Sequence, residues 1–236
     1  MNLAAEFRVD RLPDDRAQAI RDRLRDAIID RRLTPGAKLS EAEVGTLFDV
    51  SRTIARSALQ MLTFEGLVRT ERNRGAFVAN PSPEEAKQVF ASRRLIEPGI
   101  TTTACETIDA RAIAEFNAQL DREELYLAAR GPDARRAEIK ASGDFHLLLA
   151  TVAGNQILLR FMEELVARSS LVIALYGRSG VSACGHSEHR EIVDALEARD
   201  VKRATALIVR HIDHIEADLE LRSRPAQSLR DVFSAS

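Results

Sequence analysis

Leu33-Thr34-Pro35-Gly36-Ala37-Lys38-Leu39-Ser40-Glu41, followed shortly by Val50-Ser51-Arg52-Thr53-Ile54-Ala55-Arg56, is the stretch whose reading decides the fold. Thr34-Pro35-Gly36 is a turn. Ser40-Glu41-Ala42-Glu43 has the form of a capping box, which places a short helix near 41–47 with Val44 and Leu47 inward. Asp49-Val50 turns tightly, and Ser51 caps a longer helix that runs to Glu65. Gly66 falls where a helix C-terminus wants a residue with positive φ. Upstream, Ala17, Ile20, Leu24, Ala27 and Ile28 recur at three- and four-residue steps, the period of a helix. Downstream, Leu67-Val68-Arg69-Thr70 and Gly75-Ala76-Phe77-Val78 read as strands around a turn at Asn73-Arg74-Gly75. Helix, helix, turn, helix and hairpin is the order of a winged helix-turn-helix.

The chain as a whole is mainly α. Its 236 residues suit two domains, and glycine with proline make only 18 of them, too few for a sandwich, a barrel or a disordered chain. No apolar run approaches the ~20 residues of a membrane span, and the polar, acidic start does not resemble a signal peptide. Two cysteines, Cys105 and Cys184, fit a reducing cytoplasm. Charge is uneven: residues 1–80 carry 14 basic against 12 acidic side chains, and 50–80 carry five against two, while the whole is −2. The balance turns at Asn80-Pro81-Ser82-Pro83, which sets the boundary: 1–80 a winged helix-turn-helix, 81–236 an all-α antiparallel bundle, with a loose tail from about 224. Ser82-Pro83-Glu84-Glu85 is a further capping box, and helix starts follow at Asp109, Asp133, Asn155, near Ser187 and at Asp200.

The basic residues of the first domain are spaced for DNA. Arg52 and Arg56, four apart, project from one helix face while Leu59 and Leu62 face the core. A planar guanidinium can pair bidentately with guanine O6 and N7. Ser51 and Thr53 put hydroxyls beside a helix N-terminus, which favours phosphate. Arg72 and Arg74 flank the hairpin tip, where Gly75 would let backbone approach a minor groove. The alternative is that these arginines merely solvate a helix face.

All five histidines lie in the second domain. His146 shares a helical stripe with Leu149 and Ala150, His189 with Ile192, Val193 and Leu196, and His211 with Leu207, Ile208 and Ile215. Three inward histidines from three helices can converge on a divalent metal, with zinc, nickel, iron and manganese all open. Singly, each would be an ordinary hydrogen-bonded core histidine. Arg93, four before Glu97, is a candidate partner for an anionic effector, or else one half of an intrahelical pair. Asn155 either lines the effector pocket or caps the helix that follows it.

Residues 17–79 resemble the GntR family of bacterial regulators. The resemblance is carried by Leu33 to Glu41, Val50-Ser51-Arg52-Thr53, Arg56, Ala58-Leu59, Leu62, Glu65-Gly66-Leu67-Val68 and Arg74-Gly75-Ala76-Phe77-Val78. It implies that Arg52 and Arg56 read bases, that Ser51 and Thr53 hold phosphate, and that Gly75, beside Arg74, touches the minor groove. Ile54-Ala55 replaces the usual Pro-Val, Ser57 a common glutamate, and Ala42 an arginine that contacts DNA in some members. Residues 83–221 are similar to the helical FCD effector domain of FadR-type members, through Arg93 to Glu97-Pro98, Phe145-His146 to Gly154-Asn155, Glu188-His189-Arg190-Glu191-Ile192, Ala195-Leu196, Asp200 and His211. That resemblance implies a divalent metal held by His146, His189 and His211 beneath a ligand pocket. It also implies a carboxylate four residues before the first histidine, where this chain has Ser142. Asp144 lies about 200° around the helix and points elsewhere.

The expected function is a transcriptional regulator that binds a pseudo-palindromic operator in double-stranded DNA as a homodimer, its affinity set by a small carboxylate in the helical domain. The helix that begins at Ser82 directly follows the wing and is the expected lever. A metal-dependent enzyme is the alternative, against which stand the absence of His-Glu-x-x-His, of Gly-x-Ser-x-Gly and of paired Glu-x-x-His. A constitutive DNA-binding dimer is the other alternative, disfavoured by the cost of an unused polar cluster in a core.

Overall fold

The computed structural model describes residues 13–129, 131–178 and 183–221. The expected loose tail from about 224 lies outside them. α1 (Pro13–Ile29) precedes a two-residue strand, β1 (Lys38–Leu39), then α2 (Glu41–Phe48) and α3 (Arg52–Phe64), then β2 (Val68–Glu71) and β3 (Gly75–Val78). Ser40 and Ser51 cap α2 and α3, accepting from the amides of Glu43 and Ile54. Asp49 and Gly66 take positive φ, at 52° and 74°, where the chain leaves those helices. This is the winged helix-turn-helix that the sequence predicts, with two differences. The wing is a three-stranded antiparallel sheet in the order β1-β3-β2, so Lys38 and Leu39 give a third strand to what would be a marginal hairpin. Within α2 the inward partner of Val44 is Phe48, one full turn on, while Leu47 is 55% exposed.

Six helices follow: α4 (Pro83–Thr107), α5 (Ala110–Ala128), α6 (Pro132–Val152), α7 (Gln156–Tyr176), α8 (Ala183–Glu197) and α9 (Val201–Ala217). α4 opens on the predicted capping box, with Ser82 and Glu85 bonded reciprocally. α8 starts a turn earlier than expected. Phe90, Ile100, Phe116, Phe145, Leu149, Met162, Ile192 and Ile208 are fully or almost fully buried in one bundle core. The winged domain has its own core around Ile20, Leu59, Leu62, Leu67 and Val78, and α7 enters it: Ala167 and Leu171 are buried there. A Cβ on Gly66 would lie 2.3 Å from Cζ of Arg168, so the turn after α3 is packed directly on α7. Tyr176 Oη donates to the carbonyl of Pro81 at 2.8 Å and ties the end of α7 to the inter-domain link. No described helix is long and apolar enough to cross a membrane.

Candidate functional site

Two places in the molecule gather the residues singled out above. The first is a groove of about 420 Å³ between α3 and the wing, bordered by Arg52, Arg56, Thr70, Arg74 and Gly75. Ser51, Arg52, Thr53 and Arg56 are all exposed on the first turn and a half of α3. Arg56 is not idle: its guanidinium donates twice to the carboxylate of Glu41, at 2.8 and 2.9 Å. That fork holds the Glu41 carboxyl below its ordinary range. Arg74 pairs with Glu71 and lies over the Phe77 ring, 5.4 Å from its centre. Gly75 has φ 102°, the conformation that closes the wing's tip and that a side chain would resist. Recognition helix and wing therefore present one continuous edge, with a serine cap at its start.

The second place is a cavity of about 430 Å³ inside the bundle. α6, α8 and α9 deliver His146, His189 and His211 to it, each at most 2% exposed, with ligand atoms within 4.8 Å of one another. The three apolar stripes seen in the sequence put them there. Each ring is oriented by a glutamate on its far side. His146 Nδ1 is 2.8 Å from Glu97, His189 Nδ1 is 2.9 Å from Glu123, and His211 Nδ1 is 2.8 Å from Glu188. A carboxylate at Nδ1 selects the tautomer with the proton on that atom and leaves the Nε2 lone pair facing inward. His189 Nε2 and His211 Nε2 then face each other at 3.0 Å, and His146 Nε2 is buried with no hydrogen-bond partner. Phe145 stacks on His189 with ring centres 3.9 Å apart, fixing that plane.

Burial disfavours the charged form of two of the imidazoles. It lowers His146 to about 3, against the pull of Glu97, and lowers His189 well below its ordinary value. Burial also raises Glu123, to about 7, although Gln119 and His186 work against it. Glu97 goes the other way: burial would raise it, but Arg93 and His146 outweigh that and hold it well below the carboxylate range. Glu188 is likewise lowered, because hydrogen bonds from His211 and His214 overcome its burial. Three imidazole nitrogens converging within 4.8 Å of one another fit a divalent cation. Among the described residues the donor set is those three histidines. Ser142 lines the cavity where a fourth ligand would be expected, and Asp144 is not among the lining residues.

Arg93 also lines the cavity, 2% exposed, bound to Glu97 through Nε and to Ser169 Oγ through Nη1 at 3.2 Å. The intrahelical pair is present. Arg93 Nη2 is buried without a partner beside the histidines. Asn155, expected among the effector residues, is elsewhere. It is exposed, its side chain caps α7 by accepting from Ile157 and Leu158, and it does not border the cavity. A short side chain can close a helix N-terminus or reach into the bundle, and here the cap takes it. Sequence reasoning missed Glu123. It lies on the buried stripe of α5 with Phe116 and Leu120, and a glutamate at an apolar position was the available signal. Cys184 has a side chain outside the described set.

Comparison with known proteins agrees with both halves. Residues 16–78 match the gntR family of bacterial regulatory proteins, and residues 88–214 match the FCD domain. The Uxu operon transcriptional regulator of Escherichia coli K12 is 26% identical over 224 residues, covering 83% of each chain. The transcriptional regulator LutR of Bacillus subtilis 168 is 26% identical over 208 residues, 78% of this chain and 92% of that one. A solved GntR transcriptional regulator from Rhodococcus sp. RHA1 superposes with a TM-score of 0.72 at 29% identity, covering 86% of this chain and 96% of its own. McbR/YncC of Escherichia coli shares the fold, with a TM-score of 0.73 at 16% identity over 86% and 95% of the two chains.

Proposed function

We infer, from the premise that this chain belongs to the GntR family of bacterial regulatory proteins and carries its FCD domain, that the bundle cavity is the control point of a DNA-binding transcriptional regulator. The relatives are regulators, which removes the metal-enzyme alternative. In this reading Arg52 and Arg56 meet base edges, Ser51 and Thr53 meet phosphate, and Arg74 and Gly75 meet the adjacent minor groove. One winged domain covers few base pairs, so two copies on a pseudo-palindrome form the working unit, a homodimer.

The observation that carries the effector reading is the convergence of three Nε2 atoms, each backed by a carboxylate at Nδ1, on a cavity into which Arg93 also aims an unpartnered N–H. His146, His189 and His211 would hold a divalent ion, and the ion would supply positive charge for one end of a small carboxylate. Arg93 would donate to the same carboxylate. Ser142, in place of an acidic ligand, leaves a coordination position for that effector or for water. The polar cluster would be costly in a passive core, which disfavours a constitutive dimer.

Coupling to DNA follows from α7. Its Ser169 and Ser170 border the cavity, while Ala167 and Leu171 on the same helix are buried in the winged domain. A ligand shifts operator affinity only by binding one arrangement of these parts better than another. α4 shares this task, because it leaves the wing directly and carries Arg93 and Glu97.

The test is a thermal-shift screen of small carboxylates with added divalent metal and again with EDTA. A bound effector at a hundred times its dissociation constant adds about 2.7 kcal/mol, a clear rise in Tm. Shifts that vanish with EDTA are the expected result. No shift with any acid would sink the effector reading.

A further inference from the structure

The cavity has two ends. α6 and α7 run antiparallel along it, since Gly143 stands against Ser170 while, about two turns earlier on α6, Arg135 stands against Gly177. The inner end is where Arg93 reaches Ser169 and the histidines converge, all of them at most 2% exposed. From His146 the lining runs down α6 past Ser142 and Ile139 to Arg135, three turns or about 16 Å. Along α9 it runs from His211 past Ile215 and on to Leu219 just beyond the helix, where Leu219 is bridged to Gly177 at the outer end. Between the two ends Ile139, Ile173 and Ile215 supply apolar wall, interrupted by Ser142 and Ser170 and, to the sides, by Glu123 and Glu138.

Arg135 is half-buried at that outer end. Gly177 makes room for it, because a Cβ there would lie 2.7 Å from Arg135 Nη2. No carboxylate among the described residues is hydrogen-bonded to its guanidinium; its nearest acidic influence is Glu138, on the next turn, whose own charge is discouraged by burial. Arg178 and Asp218 form the rim with opposite charges, joined backbone to backbone at 3.3 Å. Arg135 at one end of a partly apolar slot, with Arg93 and the proposed metal at the other, calls for a ligand charged at both tips.

Building on the effector reading above, we propose that the cavity takes an elongated dianion, a straight-chain dicarboxylate of about adipate's length, with one carboxylate at the histidines and the other on the guanidinium of Arg135. The side chains at both poles reach inward and take up part of the 16 Å separation of their helix positions, and in this proposal adipate's length rather than succinate's matches the remainder. Hexanoate offers the same apolar length with one charge.

Calorimetric titration of the zinc-supplemented full-length protein with adipate, succinate and hexanoate tests this, on the parent and on Arg135→Gln. Arg135 is half-buried and outside the core, and the Tm of the ligand-free variant confirms that it folds. The parent binds adipate at least about tenfold more tightly than either other acid, the worth of one charge-assisted contact. Arg135→Gln brings adipate down to the level of hexanoate and leaves hexanoate unchanged. Equal binding of adipate and hexanoate by the parent, or an equal loss of both in the variant, overturns the second pole while the effector reading stands. Binding of none of the acids overturns that reading and the proposal with it.

Discussion

His189 and His211 meet Nε2 to Nε2 at 3.0 Å, and the opposite nitrogen of each ring is turned to a different glutamate, Glu123 for one and Glu188 for the other. A plain hydrogen bond between two neutral imidazoles needs one ring to carry its proton on Nε2. Glu188, held ionised, argues for the proton on Nδ1 of His211, and Glu123 does the same for His189 whenever it is ionised. In the reading proposed above, the pair serves a shared cation rather than one another.

Glu123 is the glutamate to change. Glu123→Gln keeps the shape but can present an amide N–H to His189 Nδ1 and favour the wrong tautomer. Zinc affinity should fall ~10–100-fold, the usual effect of removing such a partner, with little change in Tm of the metal-free protein. Competition titration against a chromophoric chelator measures it, and unchanged affinity would mean that the glutamates do not set the tautomers.

Arg56 and Glu41 separate reading from folding. Their pair is exposed, with 59% of the Arg56 side chain in solvent, so breaking it should leave stability almost unchanged. Arg56→Ala should nevertheless cost ~1–3 kcal/mol on operator DNA and relax specificity at one position. Glu41→Ala frees the guanidinium without removing it, and should weaken discrimination between bases more than overall affinity. Footprints of the two variants that match the parent would remove Arg56 from the recognition set.

Acid should unfold the metal-free protein in a defined window. His146 titrates near 3 in the fold and at 6.5 when unfolded, and His189 is shifted the same way, so the unfolded chain takes up protons that the native core refuses. That contribution is lost as pH falls below 6.5. Glu123 has the opposite sign: raised from 4.5 to about 7, it binds its proton in the fold and offsets the histidines between those values. Below 4.5 the offset ends, and Glu97, held low, adds to the loss. One glutamate offsets only one of the two histidines, so Tm should fall gradually from pH 6.5 to 4.5 and steeply below 4.5. Bound zinc should steepen the upper part of that curve, because protons compete with it for the imidazoles. A stability maximum near pH 4 would contradict the assignment of neutral histidines.

How much of this could be read beforehand depends on the kind of signal. The winged domain was legible because each turn carries its own chemistry: Ser40, Ser51, Gly66 and Asn73-Arg74-Gly75 mark their positions without reference to anything distant. The three histidines were legible because each lies on an apolar stripe of its own helix. β1 was not, since Lys38 and Leu39 are too few to show a period and exist as a strand only by pairing with Phe77 and Ala76. The carboxylates behind the rings were not either. Glu123 lies 66 residues from its histidine and Glu97 lies 49 from its own, and nothing local in a helix announces a partner that far along the chain. Asn155 failed for a simpler reason: the same side chain serves a cap and a pocket equally well on paper.

The burial of Ala167 and Leu171 in the core of the winged half has a bearing on modularity. A fragment ending near Asn80 would leave an apolar scar where α7 had been, and a graft onto a foreign sensor would meet that scar with the wrong surface. The two halves should therefore melt as one cooperative transition in heat or denaturant, which calorimetry would show as a single peak. Interchange of sensors on this scaffold thus has to carry the strip of α7 along with the DNA-reading half, which narrows the joints at which recombination can leave a working regulator.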